Sequence, residues 1–297
     1  MSVESASQGV MIMKHAVPWN TQELLKSPFL SPLWTTISEL DTTNFPTLRE
    51  MNLLLTRRLS PVSVQSGAPL VFVAQNSGKL PFEAQYEPSC YLRGEVPTRA
   101  ANWHDLFNAL VWLTFPKSKA AMNARHYRAL TDDVAEYPKA FSSERGAVRD
   151  ATTLLDESGV IVVSSDPELI GLLKKFEWKN LFWHHRRQVI ASMKFFLIGH
   201  GLYEKALRPY VGMTGQGMLM EVMEEFHSWS AELQLAHVDT LVANQLADGG
   251  NYLHSSELSP VPLLGIPGWS DDNSNPAYYD NTSYFRVGRR NQRAMHK

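Results

Sequence analysis

Residues 97–130 read PTRAANWHDLFNALVWLTFPKSKAAMNARHYRAL, and they decide the fold that we expect for the chain. Large apolar side chains recur at spacings of three and four residues, which indicates one buried stripe on a helix that begins after Asn102: Trp103, Leu106, Phe107, Leu110 and Leu113. Pro116 suits the first turn of a second helix, which continues through residues 120–130. We therefore predict two consecutive helices that carry polar side chains among large aromatic ones.

The first of these helices carries His104, Asp105 and Asn108 on the face opposite its leucines. Asn123 and His126 of the second helix could converge on them. A histidine beside carboxylates can act as a general base or ligate a divalent metal. The structural alternative is that Asp105 belongs to the helix cap, while His104 is exposed or hydrogen-bonded in the core.

His200 and Glu204 form a second polar pair, because they follow Val189, Met193 and Leu197 on one approximate helical stripe. Ionisable groups in a core-facing row are costly unless they are paired. They must bond to each other, to another polar cluster or to a ligand. Convergence with His104 and His126 would make a metal site.

The remaining elements are predicted from periodicity and turn residues. We expect helices at residues 47–55, from Asp166 to about Phe176, over residues 181–207 with a bend at 199–201, and within 217–246. We expect strands at residues 70–73 and 86–92, and a β-hairpin in which residues 152–155 and 160–163 flank a turn that contains Asp156 and Glu157. These two carboxylates are either ordinary exposed turn residues or a pair that could do acid–base chemistry. Ordered coil follows residue 249.

These elements predict an α+β fold: a mainly helical single domain with a small antiparallel sheet formed by the hairpin and the earlier strands. Alternating strand and helix units are missing, which disfavours a doubly wound fold. Along the chain we expect an irregular N-terminal wrap at residues 1–75, the main domain at 76–286 and a basic tail at 287–297.

The amino-acid composition limits the classes of function that the protein can have. The 297 residues, 44% hydrophobic and 20% charged, predict a soluble globular protein, and a net charge of −2 gives no overall attraction to nucleic acid or anionic membrane. The single Cys90 excludes an internal disulfide and a cysteine-rich metal site within one chain. The N-terminus resembles neither a signal peptide nor a presequence, so we expect a cytoplasmic protein with no membrane partner.

Four segments together resemble a bacterial family known as domain of unknown function 3025. They are VPTRAANWHDLFNALVWLTFPKSKAAMNARH (96–126), RDATTLLDESGVIVVS (149–164), FLIGHGLYEKALRPYVGMT (196–214) and PLLGIPGWSDDNSNPAYYDNTSYFR (262–286). The resemblance covers roughly residues 80–286 and implies no activity. It points to these positions: Thr98, Arg99, Asn102, Trp103, His104, Asp105, Asn108, Asn123, Asp156, Gly199, His200, Glu204, Gly268, Trp269 and Phe285.

Three functions remain open at this point, and the sequence does not decide whether the protein is an enzyme or which cofactor it uses. The first hypothesis is a protein that binds a small molecule or a protein partner in a polar-aromatic pocket around the NWHD helix, with these ligand-binding residues: Thr98, Arg99, Asn102, Trp103, Asn108, Asn123, His126 and Trp269. The second is a metal-dependent hydrolase that uses His104, Asp105, His126, His200 and Glu204, among which the catalytic candidates are His104, Asp105, His200 and Glu204. The third and weakest is nucleic-acid binding through the basic cluster at residues 184–187 and the basic tail.

Overall fold

The computed structural model describes residues 17–136, 143–247, 252 and 254–288. Its α-helices are α1 (Thr21–Leu24), α2 (Trp34–Ser38), α3 (Leu48–Thr56), α4 (Tyr86–Arg93), α5 (Trp103–Thr114), α6 (Pro116–Glu136), α7 (Ser143–Ser158), α8 (Pro167–Lys174), α9 (Arg186–Ser192), α10 (His200–Ala206) and α11 (Ala231–Ala247). Its strands are β1 (Val71–Ala74), β2 (Glu95–Thr98), β3 (Gly159–Ser164), β4 (Met193–Leu197), β5 (Thr214–Glu221) and β6 (Ser259–Pro262). The predicted α+β, mainly helical class is confirmed.

Four strands form a mixed sheet in the order β4-β3-β5-β6, and β1 and β2 form a separate parallel pair. Strand β3 is antiparallel to β4 and parallel to β5, and β5 is antiparallel to β6. All six residues of β3 are buried, as expected for a central strand that is covered on both faces. The small sheet is therefore present, with one parallel pairing between two antiparallel ones.

Several predicted elements are confirmed where local capping chemistry is strong. The side chains of Thr47, Asn102 and Asp166 each accept a backbone N–H of the following turn, at the starts of α3, α5 and α8. The second helix of the opening segment is α6, and the strand expected at residues 70–73 is β1, shifted by one residue.

The predicted hairpin at residues 152–163 is wrong. Residues 152–155 lie in α7, which ends at Ser158 and leads directly into β3 at Gly159. A Cβ at Gly159 would lie 2.2 Å from the carbonyl oxygen of Leu155, so only glycine fits this abrupt change from helix to strand. The partners of β3 are β4 and β5. Both are distant from β3 in sequence, so a local sequence pattern cannot predict these pairings.

Three further predictions are corrected. Residues 181–207 are not one helix, because β4 separates α9 from α10, and Val189, Met193 and Leu197 therefore do not share a helix with His200. Residues 86–92 form helix α4 rather than a strand, since Gly94 with a φ of +69° ends a helical turn there. Within residues 217–246, the expected helical region begins instead with the end of strand β5.

The ends of the described chain pack on the same core. Trp19, Phe29 and Ile37 near the N-terminal end and Tyr279 and Phe285 near the C-terminal end are all buried in it. The three-part division of the chain stays a prediction, and residues 289–297 of the expected basic tail lie outside the described residues. Across the described ranges, no helix combines the length and the apolar character needed to cross a bilayer.

Candidate metal centre

Three helix ends meet at one point of the fold. His104 lies in the first turn of α5, Glu157 in the last turn of α7 and His200 at the start of α10. A close backbone approach brings the last two together: a Cβ on Gly199 would lie 2.4 Å from the backbone nitrogen of Gly159. Glycine at both positions therefore lets α7 and α10 place their polar ends side by side.

The three side chains converge through one ligand atom each. The Nε2 atoms of His104 and His200 are 3.0 Å apart, and Glu157 Oε1 lies 3.4 Å from His200 Nε2 and 3.6 Å from His104 Nε2. If an ion lay about 2.1 Å from each of the three atoms, the angles between pairs of ligand atoms at the ion would be roughly 90–120°. This is the range of octahedral and tetrahedral coordination. Two imidazoles and one carboxylate thus fit a divalent transition metal.

Carboxylates lie behind both imidazoles. His104 Nδ1 is 3.0 Å from Glu204 Oε2, and His200 Nδ1 is 3.7 Å from Asp156 Oδ1. Asp156 Oδ1 in turn accepts a hydrogen bond from Lys119 Nζ. The contact of Glu204 with His104 Nδ1 favours the tautomer that leaves Nε2 of this ring free to coordinate, which is the usual arrangement behind metal-bound histidines. His200 Nδ1 has no hydrogen-bond partner among the described atoms, and Asp156 acts on it through its charge.

Electrostatic interactions among these groups shift their pKa values. Burial favours the neutral form of His200, but Asp156 and the hydrogen bond with Glu157 favour its cation and raise its pKa to about 9. Burial likewise would raise the pKa of Asp156, but Lys119 and His200 hold it well below its usual range. Hydrogen bonding to His200 lowers the pKa of Glu157. In the absence of an ion, the protonated His200 therefore compensates its acidic neighbours.

The centre opens into a cavity of about 540 Å³ whose walls come from α4, α5, α6 and α7. Glu87 and His126 line the same cavity. Asn123 Nδ2 donates to Glu87 Oε2 at 2.6 Å, and burial raises the pKa of Glu87 to about 7. Burial lowers the pKa of His126 to about 4, so this imidazole is neutral at pH 7. The cavity therefore offers a carboxyl group that can exchange a proton near neutral pH.

Glu87→Gln is expected to stabilise the fold in alkaline solution. Because the folded-state pKa of about 7 exceeds the usual value of 4.5, stability falls as the pH rises from 4.5 to 7. This loss reaches at most about 3 kcal/mol, less to the extent that water in the cavity solvates the carboxylate. Urea unfolding at pH 4 and pH 8 checks this expectation. Equal stability of the variant and the wild type at both pH values would show that Glu87 ionises without cost.

The structure brings together only part of the residue set predicted from the sequence. Those on the cavity wall are Arg99, His104, Asp105, Asn108, His126 and His200. The Arg99 guanidinium donates hydrogen bonds to both carboxylate oxygens of Asp105, at 2.8 and 2.9 Å. Asn108 Nδ2 donates to the hydroxyl of Tyr86 at 2.7 Å, and the buried Oδ1 of Asn108 has no partner among the described atoms.

The other predicted residues have structural contacts. Asn102 caps α5, and Trp103 donates to the carbonyl oxygen of Val17. The Thr98 hydroxyl donates to the carbonyl oxygen of Val96, and the ring of Trp269 packs on Phe29. Asn123 holds Glu87, and Glu204 lies behind His104.

The sequence indicates no role for Lys119 or Glu87, and it places the carboxylates of Asp156 and Glu157 in a hairpin turn. That placement is wrong, because both residues lie in the last turn of α7. A helical interpretation of residues 149–157 would have placed Arg149, Thr153 and Asp156 on one face, at spacings of four and three. No local signal indicates that Lys119 and Asp156 meet.

Comparison with known proteins gives one match. A family model described as "Protein of unknown function (DUF3025)" matches residues 70–289, which include every residue of the centre and its cavity. No curated protein and no solved structure matches the chain.

Proposed function

The chain belongs to the DUF3025 family, whose description gives no activity, and we propose from the site itself that the protein is a metal-dependent hydrolase with one divalent ion held by His104, His200 and Glu157. The convergence of two Nε2 atoms and one carboxylate oxygen carries the proposal. It differs from the hydrolase hypothesis drawn from the sequence because Glu157 takes the place of Asp105, His126 and Glu204 as a ligand.

The chemistry follows from the ligand set and the cavity. Two neutral imidazoles and one carboxylate would leave a bound divalent ion with a net positive charge, and such an ion would supply Lewis-acid chemistry that activates water and polarises a carbonyl or phosphoryl oxygen. Glu87 lines the same cavity with a pKa of about 7, which suits it to accept and return the proton that hydrolysis moves. The reaction class is therefore hydrolysis of an acyl or phosphoryl bond.

Binding of a small molecule without chemistry is the second candidate. Its support is the buried Oδ1 of Asn108 on the cavity wall, an acceptor that a ligand could satisfy. Nucleic-acid binding has less support, since Arg186 of the basic cluster donates to the backbone and side-chain oxygens of Asn273 at 3.0 and 3.1 Å. Both candidates lack an explanation for the three converging ligand atoms.

Metal analysis tests the proposal. Protein purified without a His-tag or a chelator, then supplied with Zn²⁺, Mn²⁺ or Fe²⁺ and desalted, is expected to retain about one equivalent of metal, because three convergent ligands bind one ion. Glu157→Gln and His104→Ala should lose it, while His184→Ala, which removes an exposed histidine, should keep it. Retention of metal by folded Glu157→Gln, or no metal in the wild type, would overturn the proposed centre.

A further inference from the structure

We propose that the cavity selects an elongated anionic substrate, whose carboxylate or phosphate group pairs with Arg149 while the bond to be hydrolysed lies at the metal centre. The inference deepens the proposed function and rests on it for the reacting end only. The anion-binding end is an independent property of the cavity wall.

The charge pattern of the cavity singles out Arg149. Arg93 is paired with Glu95 and Arg99 with Asp105, both at 2.8 Å. The carboxylates near the centre also have partners: Lys119 pairs with Asp156, His200 contacts Glu157 and His104 contacts Glu204. In the described part of the chain, Arg149 has no hydrogen bond and no ion pair although its side chain lines the cavity. A partly buried cation without a counter-ion favours an anionic ligand.

Helix α7 sets the distance between the two ends of the substrate. Arg149, Thr153 and Asp156 lie on one face of α7 and line the cavity, and Glu157 follows at its metal-binding end. Eight residues at 1.5 Å each separate the Cα atoms of Arg149 and Glu157 by about 12 Å. His126 lines the same cavity as Arg149 and Asp156.

The chemistry of the two ends orients the substrate. A guanidinium presents a planar pair of donors that matches a carboxylate or a phosphate. The centre would take the carbonyl or phosphoryl oxygen of the bond to be hydrolysed. Arg149 would take the terminal anionic group, because it is the arginine of the cavity wall that has no acidic partner among the described residues. The substrate class is thus an ester, amide or phosphoester with a terminal anionic group about one nanometre from the bond that is cleaved.

Binding of dicarboxylates tests this inference without a known substrate. Calorimetry would compare malonate, which is too short to span the cavity, with suberate, which can reach from the centre to Arg149. It would use Zn²⁺-loaded and EDTA-treated protein. We expect Arg149→Gln to weaken suberate binding at least about tenfold in both forms and to leave malonate binding to the loaded form unchanged. Arg149→Lys should restore part of the loss, and Arg128→Gln, an exposed arginine that donates to Gln65, should have no effect.

The outcomes separate this inference from the proposed function. Equal suberate affinity in wild type and Arg149→Gln, or no suberate binding in either form, overturns the anion-binding end even if the protein binds metal through Glu157. Suberate binding that depends on Arg149 in protein that retains no metal supports the anion-binding end and overturns the metal centre. An analogue with a phosphonate at one end shows whether the site prefers a phosphate-like group to a carboxylate.

Discussion

Lys119→Met is expected to destabilise the protein by about 3–5 kcal/mol at pH 7, the largest loss of stability that we predict for a single side chain. The Lys119 side chain is 3% exposed and donates to Asp156, whose side chain is 14% exposed. Its ammonium also lies 5.6 Å from the centre of the Trp112 ring. Methionine has a similar volume, so the variant removes the charge with little change in packing.

The loss arises because Asp156 would remain ionised in a nearly buried position. In the wild type, Lys119 and His200 keep its pKa well below the usual range. A lowered folded-state pKa contributes stability above the unfolded value and loses it as the pH falls. The difference between Lys119→Met and the wild type should therefore be largest at neutral pH and should shrink in acid, where Asp156 takes up a proton in the variant.

An exposed pair provides the matched control. Lys179 Nζ lies 2.6 Å from Asp280 Oδ1, with the two side chains 38% and 61% exposed. Lys179→Met should cost at most about 1 kcal/mol, because water screens this pair. Urea unfolding at pH 7 measures both variants. In Lys119→Met, the additional change Asp156→Asn should recover part of the loss, since it removes the uncompensated charge. Similar small losses in Lys119→Met and Lys179→Met would show that the pair with Asp156 is dispensable.

The centre itself could be predicted only in part, and helix α5 shows why. Its capping residue Asn102 and its apolar stripe are local features, so the helix and the placement of His104 on the face opposite its leucines follow from the sequence. The pair of His104 with His200 was open as a possibility, because two histidines near carboxylates suggest a shared site. Their distance of 3.0 Å depends on how α5 and α10 pack, which no local pattern contains.

Glu157 could not be recognised because the strand that follows it is defined by distant partners. The apolar run that becomes β3 is equally compatible with a hairpin strand and with a central strand of a sheet. Its pairing with β4 and β5 selects the second arrangement, and α7 then continues to Ser158 and places Glu157 beside the histidines. Tertiary pairing thus overrides the turn signal of residues 156–159.

His200→Ala is expected to lower the affinity for a divalent metal more than about a hundredfold, whereas Glu204→Gln should lower it only about tenfold. Structural zinc binding of ~10–16 kcal/mol, shared among four ligands, assigns roughly 3 kcal/mol to each ligand. Glu204 lies behind His104, with Oε2 3.0 Å from Nδ1, and its side chain is 48% exposed. Loss of a carboxylate in such a position typically costs 10–100-fold in metal affinity.

Two substitutions of Glu204, by glutamine and by leucine, show whether this residue orients His104 or coordinates the metal itself. Glutamine keeps an oxygen that can accept from His104 Nδ1, whereas Glu204→Leu leaves this nitrogen without an acceptor, so leucine should weaken binding further, towards a hundredfold. Competition titrations with a chromophoric chelator give the affinities, and the visible spectrum of the Co²⁺-loaded protein reports the coordination. Since Glu204 contacts only the far nitrogen of the ring, its variants should keep the wild-type spectrum and His200→Ala should not. A changed spectrum in Glu204→Leu would instead make Glu204 a ligand, and the centre would then comprise two histidines and two carboxylates.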